Sequence, residues 1–154
     1  MRRAAALSFV ATLAVASLGI GLAAQAAGIE VKNAWIPATP AGAPTAAGYA
    51  TVTNHGISSD RLTGGSTSAA SSVEVHEMTT AGGVMRMRPV AGGLAIGASA
   101  TVTLDPSRYH LMLMGLKRPL VAGQHVRVVL HFTRAGDVAA DFVVKPAATA
   151  GMRM

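Results

Sequence analysis

Val126-Arg127-Val128-Val129-Leu130-His131-Phe132 sets apolar side chains at every second position, Val126, Val128, Leu130 and Phe132, with Arg127 and His131 on the alternate places. A period of two marks a β-strand with one face toward a core and the other away from it. Outward from this stretch, Gly, Pro, Asn, Asp or Ser punctuates the chain every eight to twelve residues, and the segments between are rich in Val, Thr and Ile. The pattern predicts strands over 29–35, 47–54, 72–78, 84–88, 98–104, 109–114, 126–133 and 138–144, with a shorter one around 61–64. No long window beyond the first two dozen residues holds a helical period. Many short strands at even spacing predict an antiparallel sandwich or barrel. The segment 36–46, with Pro37, Pro40 and Pro44, reads as a loop.

The chain has 154 residues, enough for one domain with its own core. Arg2 and Arg3 precede an uncharged run from Ala4 to Ala24, which ends in Ala24-Gln25-Ala26. That order reads residues 1–26 as a secretory signal, 27–145 as the folded domain and 146–154 as a disordered tail. The run is long enough for an uncleaved anchor to be the minority reading, but Ala and Gly outweigh Leu and Ile in it. Thirteen Lys and Arg, less Arg2 and Arg3, leave eleven against seven Asp and Glu, a charge of +4. In an exported protein this excess speaks for solubility or a docking surface, not for nucleic acid. The chain has no cysteine. It therefore folds without disulfides, and thiol redox chemistry, a Cys nucleophile and a thiolate metal ligand are all excluded.

Strand alternation puts the wrong residue types on the outer faces. In Val73-Glu74-Val75-His76-Glu77-Met78, the valines look inward and His76 and Met78 away. In Tyr109-His110-Leu111-Met112-Leu113-Met114, the leucines look inward and His110, Met112 and Met114 away. Seven methionines follow the initiator, and five of them fall between Met78 and Met114. Ten residues separate His76 from Met87, twenty-two separate Met87 from His110, and Met112 follows two places on. A hairpin after His76 brings Met87 back toward it.

Thioethers are soft, neutral donors that select Cu(I); zinc prefers thiolate, imidazole or carboxylate, and calcium prefers oxygen. Without a cysteine the set does not make a blue-copper electron carrier. His76, Met87, His110 and Met112 are therefore read as metal ligands, for a carrier of the ion. Met85 shares a face with Met87 and is either a neighbour of the site or the ligand in its place. Met78 and Met114 divide between cover for the site and contact with a partner; His55, His125 and His131 receive no role. Arg86, Arg88, Lys117 and Arg118 flank the ligand strands and suit an acidic acceptor, or serve as plain surface charges. The chain carries no Gly-x-Ser-x-Gly, no phosphate loop and no carboxylate pair with an acid–base partner, so an enzyme is not expected. The competing reading is a metal-independent β-sandwich interaction module with a Met-rich partner-binding face.

The stretches VEVHEM (73–78), GVMRMRPV (83–90) and YHLMLMGLKRPL (109–120) resemble the PCuAC family of periplasmic copper chaperones, also called DUF461. AGYATVTNHG (47–56) and DRLTG (60–64) are similar to that family's strand and turn sequences. The gap from Met87 to His110 is one residue longer than the family's usual pattern, and the extra length falls across the 92–97 turn and the strand after it. The resemblance implies a cupredoxin-like antiparallel Greek-key β-sandwich in the periplasm. It also implies Cu(I) held by His76, Met87, His110 and Met112 and delivered to cytochrome c oxidase assembly, with an oxidase subunit or a Sco-type protein as acceptor. Nucleic acid and stable membrane insertion after signal cleavage are not part of that picture.

Overall fold

The computed structural model describes residues 28–147; the signal read in residues 1–26 and all but the first two residues of the tail lie outside them. Ten strands and no α-helix make up the described residues. They are β1 (Ile29–Pro37), β2 (Thr45–Asn54), β3 (Asp60–Ser66), β4 (Ala70–Ala81), β5 (Val84–Pro89), β6 (Leu94–Ile96), β7 (Thr101–Leu104), β8 (Tyr109–Leu116), β9 (His125–Phe132) and β10 (Gly136–Lys145). Alternation holds where it was read. Val126, Val128, Leu130 and Phe132 of β9 are all buried, and so are Val73, Val75, Leu111 and Leu113. Phe142, Ile29, Ile36, Leu62 and Ile96 complete the core.

The strands run in the order β5-β4-β8-β2-β1-β10-β9-β3-β6, with β7 paired to β2. A further pairing of β3 with β4, Gly65 opposite Val73, closes the middle of this path into a ring. Closure gives each strand of the ring a neighbour on both sides, and β5, β6 and β7, with one partner each, branch from it. Gly65 also pairs with Leu130 of β9. A Cβ there would lie 2.6 Å from the Val129 carbonyl oxygen, so only glycine lets β3 fit between its two neighbours.

Three differences from the expected strands have physical reasons. The strand expected over 98–104 starts only at Thr101, because Ser99 takes a positive φ of 56° and Gly97 and Ala100 turn the chain. Leu94–Ile96 then forms its own short strand against β3. The 36–46 loop is shorter than read, since β1 continues to Pro37 and β2 starts at Thr45. Among otherwise antiparallel pairs, β1 and β10 run parallel, with Trp35 opposite Val143.

Two buried polar residues fasten the turns. Asn54 donates from Nδ2 to the Ser58 and Ile96 carbonyls and accepts the Gly56 N–H at Oδ1. Asp60 accepts N–H bonds from Arg61 and Arg134 at Oδ1 and from Ala135 at Oδ2. Desolvation alone would raise the Asp60 pKa, but these three bonds outweigh it and the group sits below the usual carboxylate value.

The β4–β5 hairpin leaves the ring. Pairing of β4 with β8 ends at Glu77 opposite Tyr109, whereas pairing with β5 continues to Ala81 opposite Val84. The last rungs are thus a two-stranded ribbon. Its turn is Gly82-Gly83, with φ of 59° and 77°, the geometry of a type I′ turn, whose twist matches that of the strands it joins.

Candidate metal centre

The register brings the sequence-predicted residues together. His76 on β4 lies directly opposite His110 on β8, and their rings are 6.1 Å apart between centroids. Met112, two residues along β8, shares the His110 face and stands between Glu74 of β4 and Ala47 of β2. The small side chain of Ala47 leaves room for the methionine. On the hairpin, Met87 is opposite Met78, two rungs beyond the Pro89–His76 pair, and its Sδ comes to 2.9 Å from His110 Nε2. Met85 sits opposite Thr80, further toward the ribbon tip. The structure therefore brings Met87, not Met85, to His110, and the longer gap between Met87 and His110 leaves that meeting intact.

Burial departs from expectation. An exposed site was read from the outward direction of these strands, but His76, His110 and Met112 are only 8%, 4% and 8% exposed. Only Met87, at 49%, is open to solvent. The reason is cover. Both β4 and β8 are flanked by strands on either side, β5 carries Met87 over His110, and Tyr49, backed by Trp35, stands beside it.

The two imidazoles are held in different ways. His76 Nε2–H donates to the Glu74 carboxylate at 2.8 Å. A carboxylate can only accept, so Nε2 carries a proton, and in the neutral ring Nδ1 is the nitrogen that holds the lone pair. That Nδ1 is buried without a partner, and so is Nδ1 of His110. Whichever nitrogen of His110 carries its proton, one nitrogen goes unsatisfied, because a thioether is a weak acceptor and the other side is closed. Leaving a buried polar atom unpaired costs about 1–3 kcal/mol. Burial, with His76 nearby, lowers the His110 pKa and so favours the neutral form of the ring, the form that can bind a metal. Two neighbouring buried imidazoles, one of them meeting a thioether through Nε2, suit a soft ion that takes up lone pairs. Among the described residues, no three His, Asp or Glu side chains gather in a way that would hold a harder metal.

Glu74 is the functional candidate that the His and Met pattern passed over. It lies two residues before His76 on the same face, a spacing that was legible. The other histidines are engaged elsewhere or free of the site: His55 pairs with Glu30 at 2.7 Å, His131 with Asp137 at 2.7 Å, and His125 is exposed. Arg88 pairs with Glu77 at 3.0 Å, and Arg86 and Arg88 both lie on the hairpin face opposite the methionines.

The all-β ring of short strands has the fold of PCuAC domains of known structure. The copper-bound PCuAC domain from PmoF2 superposes with a TM-score of 0.65 at 24% identity, over 77% of this chain and 93% of that one. The solution structure of CuI-DR1885 from Deinococcus radiodurans is 32% identical, with a TM-score of 0.60 and 81% of each chain covered. Its apo form is 33% identical, with a TM-score of 0.59, over 95% of this chain and 96% of that one. Residues 29–144 match the family described as putative lipoprotein LpqE-like, and the chain belongs to that family, which is the PCuAC family. The putative lipoprotein Lxx21020 of Leifsonia xyli subsp. xyli is 41% identical over 109 residues, 71% of this chain; the chain spans 64% of that relative's length.

Proposed function

We propose that this protein is a copper chaperone that binds one Cu(I) through His76, Met87, His110 and Met112 and passes it to an acceptor protein by ligand exchange. The observation that carries the reading is the meeting of Met87 Sδ with His110 Nε2 at 2.9 Å, on a buried imidazole whose ring lies 6.1 Å from that of the likewise buried His76. Support comes from relatives whose solved structures hold copper, one of them Cu(I). All four donors are neutral, so no anion has to be abandoned in the interior when the ion leaves. The half-exposed Met87 is the point at which an incoming ligand gains access. The protein acts as a carrier and not as an enzyme. It works in the periplasm after residues 1–26 are removed, with 27–145 as the copper domain, and supplies cytochrome c oxidase assembly through an oxidase subunit or a Sco-type protein. Export of a family member is supported by the lipoprotein description of the Leifsonia relative. Among the described residues no helix is long and apolar enough to cross a membrane.

The test is an anaerobic Cu(I) titration of the mature protein against a chromogenic competitor, with Met87→Ala and His110→Ala in parallel. Uptake of one ion, lost or much weakened in both variants, is the expected result. If the wild type does not compete at all, the chaperone reading fails and the methionine face becomes a partner interface.

A further inference from the structure

The copper reading leaves three things about the hairpin unexplained. Met78 is directly across from Met87, Met85 is two residues from Met87 on the same strand, and all three share one face of the ribbon. Facing positions in a hairpin hold their Cβ atoms about 4.5–5.5 Å apart, and diagonal ones about 7–8 Å. Three unbranched thioether side chains at those spacings can place their sulfurs around one ion. The face is open as well: Met85 is 62% exposed and Met78 half-buried. Methionine at this exposure gains little from packing, and Arg86 and Arg88, which would repel a cation, point to the opposite face.

We propose that Met78, Met85 and Met87 form a second, outer Cu(I) site that shares Met87 with the inner one and receives the ion on its way in or out. The inference rests on the copper reading above. The outer site is weaker, because it has thioethers only and stands in water, whereas the inner set adds two buried imidazoles. Met87 remains bound throughout the exchange. Bonds to His76, His110 and Met112 break as bonds to Met78 and Met85 form, the ion stays Cu(I), and no electron or proton is transferred. Copper thereby reaches the ribbon surface, where an acceptor can attack it, without a free ion and without opening the core. The alternation of the hairpin accounts for the arrangement: moving either methionine by one residue would put it among the arginines.

The experiment follows methionine methyl resonances in the full mature protein, labelled at the methionine methyl groups, as Cu(I) is added anaerobically to two equivalents. Met87 and Met112 shift with the first equivalent, and Met78 and Met85 with the second. In a Met78→Leu/Met85→Leu double variant Met87 and Met112 still shift with the first equivalent, and Met87, which shifts again with the second equivalent in the wild type, does not move further. If the first equivalent leaves Met87 and Met112 unmoved, the inner site itself is wrong. If it moves them but Met78 and Met85 stay still to the second equivalent, the outer site is wrong and the chaperone reading stands. A further shift of Met87 with the second equivalent in the double variant would also overturn the outer site.

Discussion

Glu74 and His76 show what one residue does for the centre. The Glu74 carboxylate accepts a hydrogen bond from His76 Nε2–H at 2.8 Å and fixes the ring, whose Nδ1 is buried without a partner. Carboxylates that orient a ligating histidine typically contribute 10–100-fold in metal affinity. Glu74→Ala should therefore weaken Cu(I) binding by about that factor while leaving the stoichiometry at one ion in the inner site. Competition titration against a chromogenic chelator measures it, and an unchanged affinity would reduce Glu74 to a surface contact. At this scale most of the centre was legible. Histidines and methionines on the polar phase of two β patterns are conspicuous because no core needs them there. What alternation does not reveal is cover. It states which way His76, His110 and Met112 point, but not that Tyr49 of β2 and Met87 of β5 lie against His110, since those are contacts with strands distant from β8 in sequence.

Among the elements, the β4–β5 hairpin decides which sulfur arrives. The two-residue Gly82-Gly83 turn fixes Met78 opposite Met87, and the strand period of two fixes the face. A thioether moved by one place should therefore be useless. In a Met87→Ala background, Arg86→Met restores the number of methionines on β5 but presents the new one to the far face. Cu(I) uptake should remain as weak as in Met87→Ala alone; recovery to wild-type affinity would show that the hairpin does not hold its register. The paired glycines and the alternating segments on either side are a strong local signal, which is why this element could be read from the chain alone. The short β6 carried no such signal. Three residues are too few to establish a period, and β6 exists because β3 offers it an edge.

The whole molecule is held by ring closure and packing, with no cysteine to cross-link it. Its closure and its parallel β1–β10 pair were illegible for one reason: both join segments far apart in sequence, and nothing local specifies either. Asp60 ties β3 to the turn between β9 and β10, so its loss should be felt across the fold. Asp60→Ala leaves three N–H groups without their acceptor and should cost about 2–4 kcal/mol, read from urea unfolding at neutral pH. The pH dependence has a definite sign. Because the folded pKa is lowered, the carboxylate's contribution is fully present above the unfolded value, about 3.9, and is lost as pH falls through the folded one. Wild type and variant should therefore converge in stability in acid. A gap that stays constant down to low pH would mean that Asp60 acts by shape and not by charge.

Past Glu77 the hairpin has no third strand to lean on, and a two-stranded ribbon alone is only marginally stable in water. Local opening there should be frequent, and the amides of Thr79, Thr80 and Ala81 should exchange with solvent far faster than those of β9. A bound ion that joins Met87 on the ribbon to His110 on the ring changes this, because the free energy of ligation resists each opening. Hydrogen exchange at those amides should slow on adding copper and return to its former rate when the metal is handed on. The cargo is then also a clasp, and an acceptor can distinguish a loaded carrier from a spent one by the stiffness of the ribbon it meets.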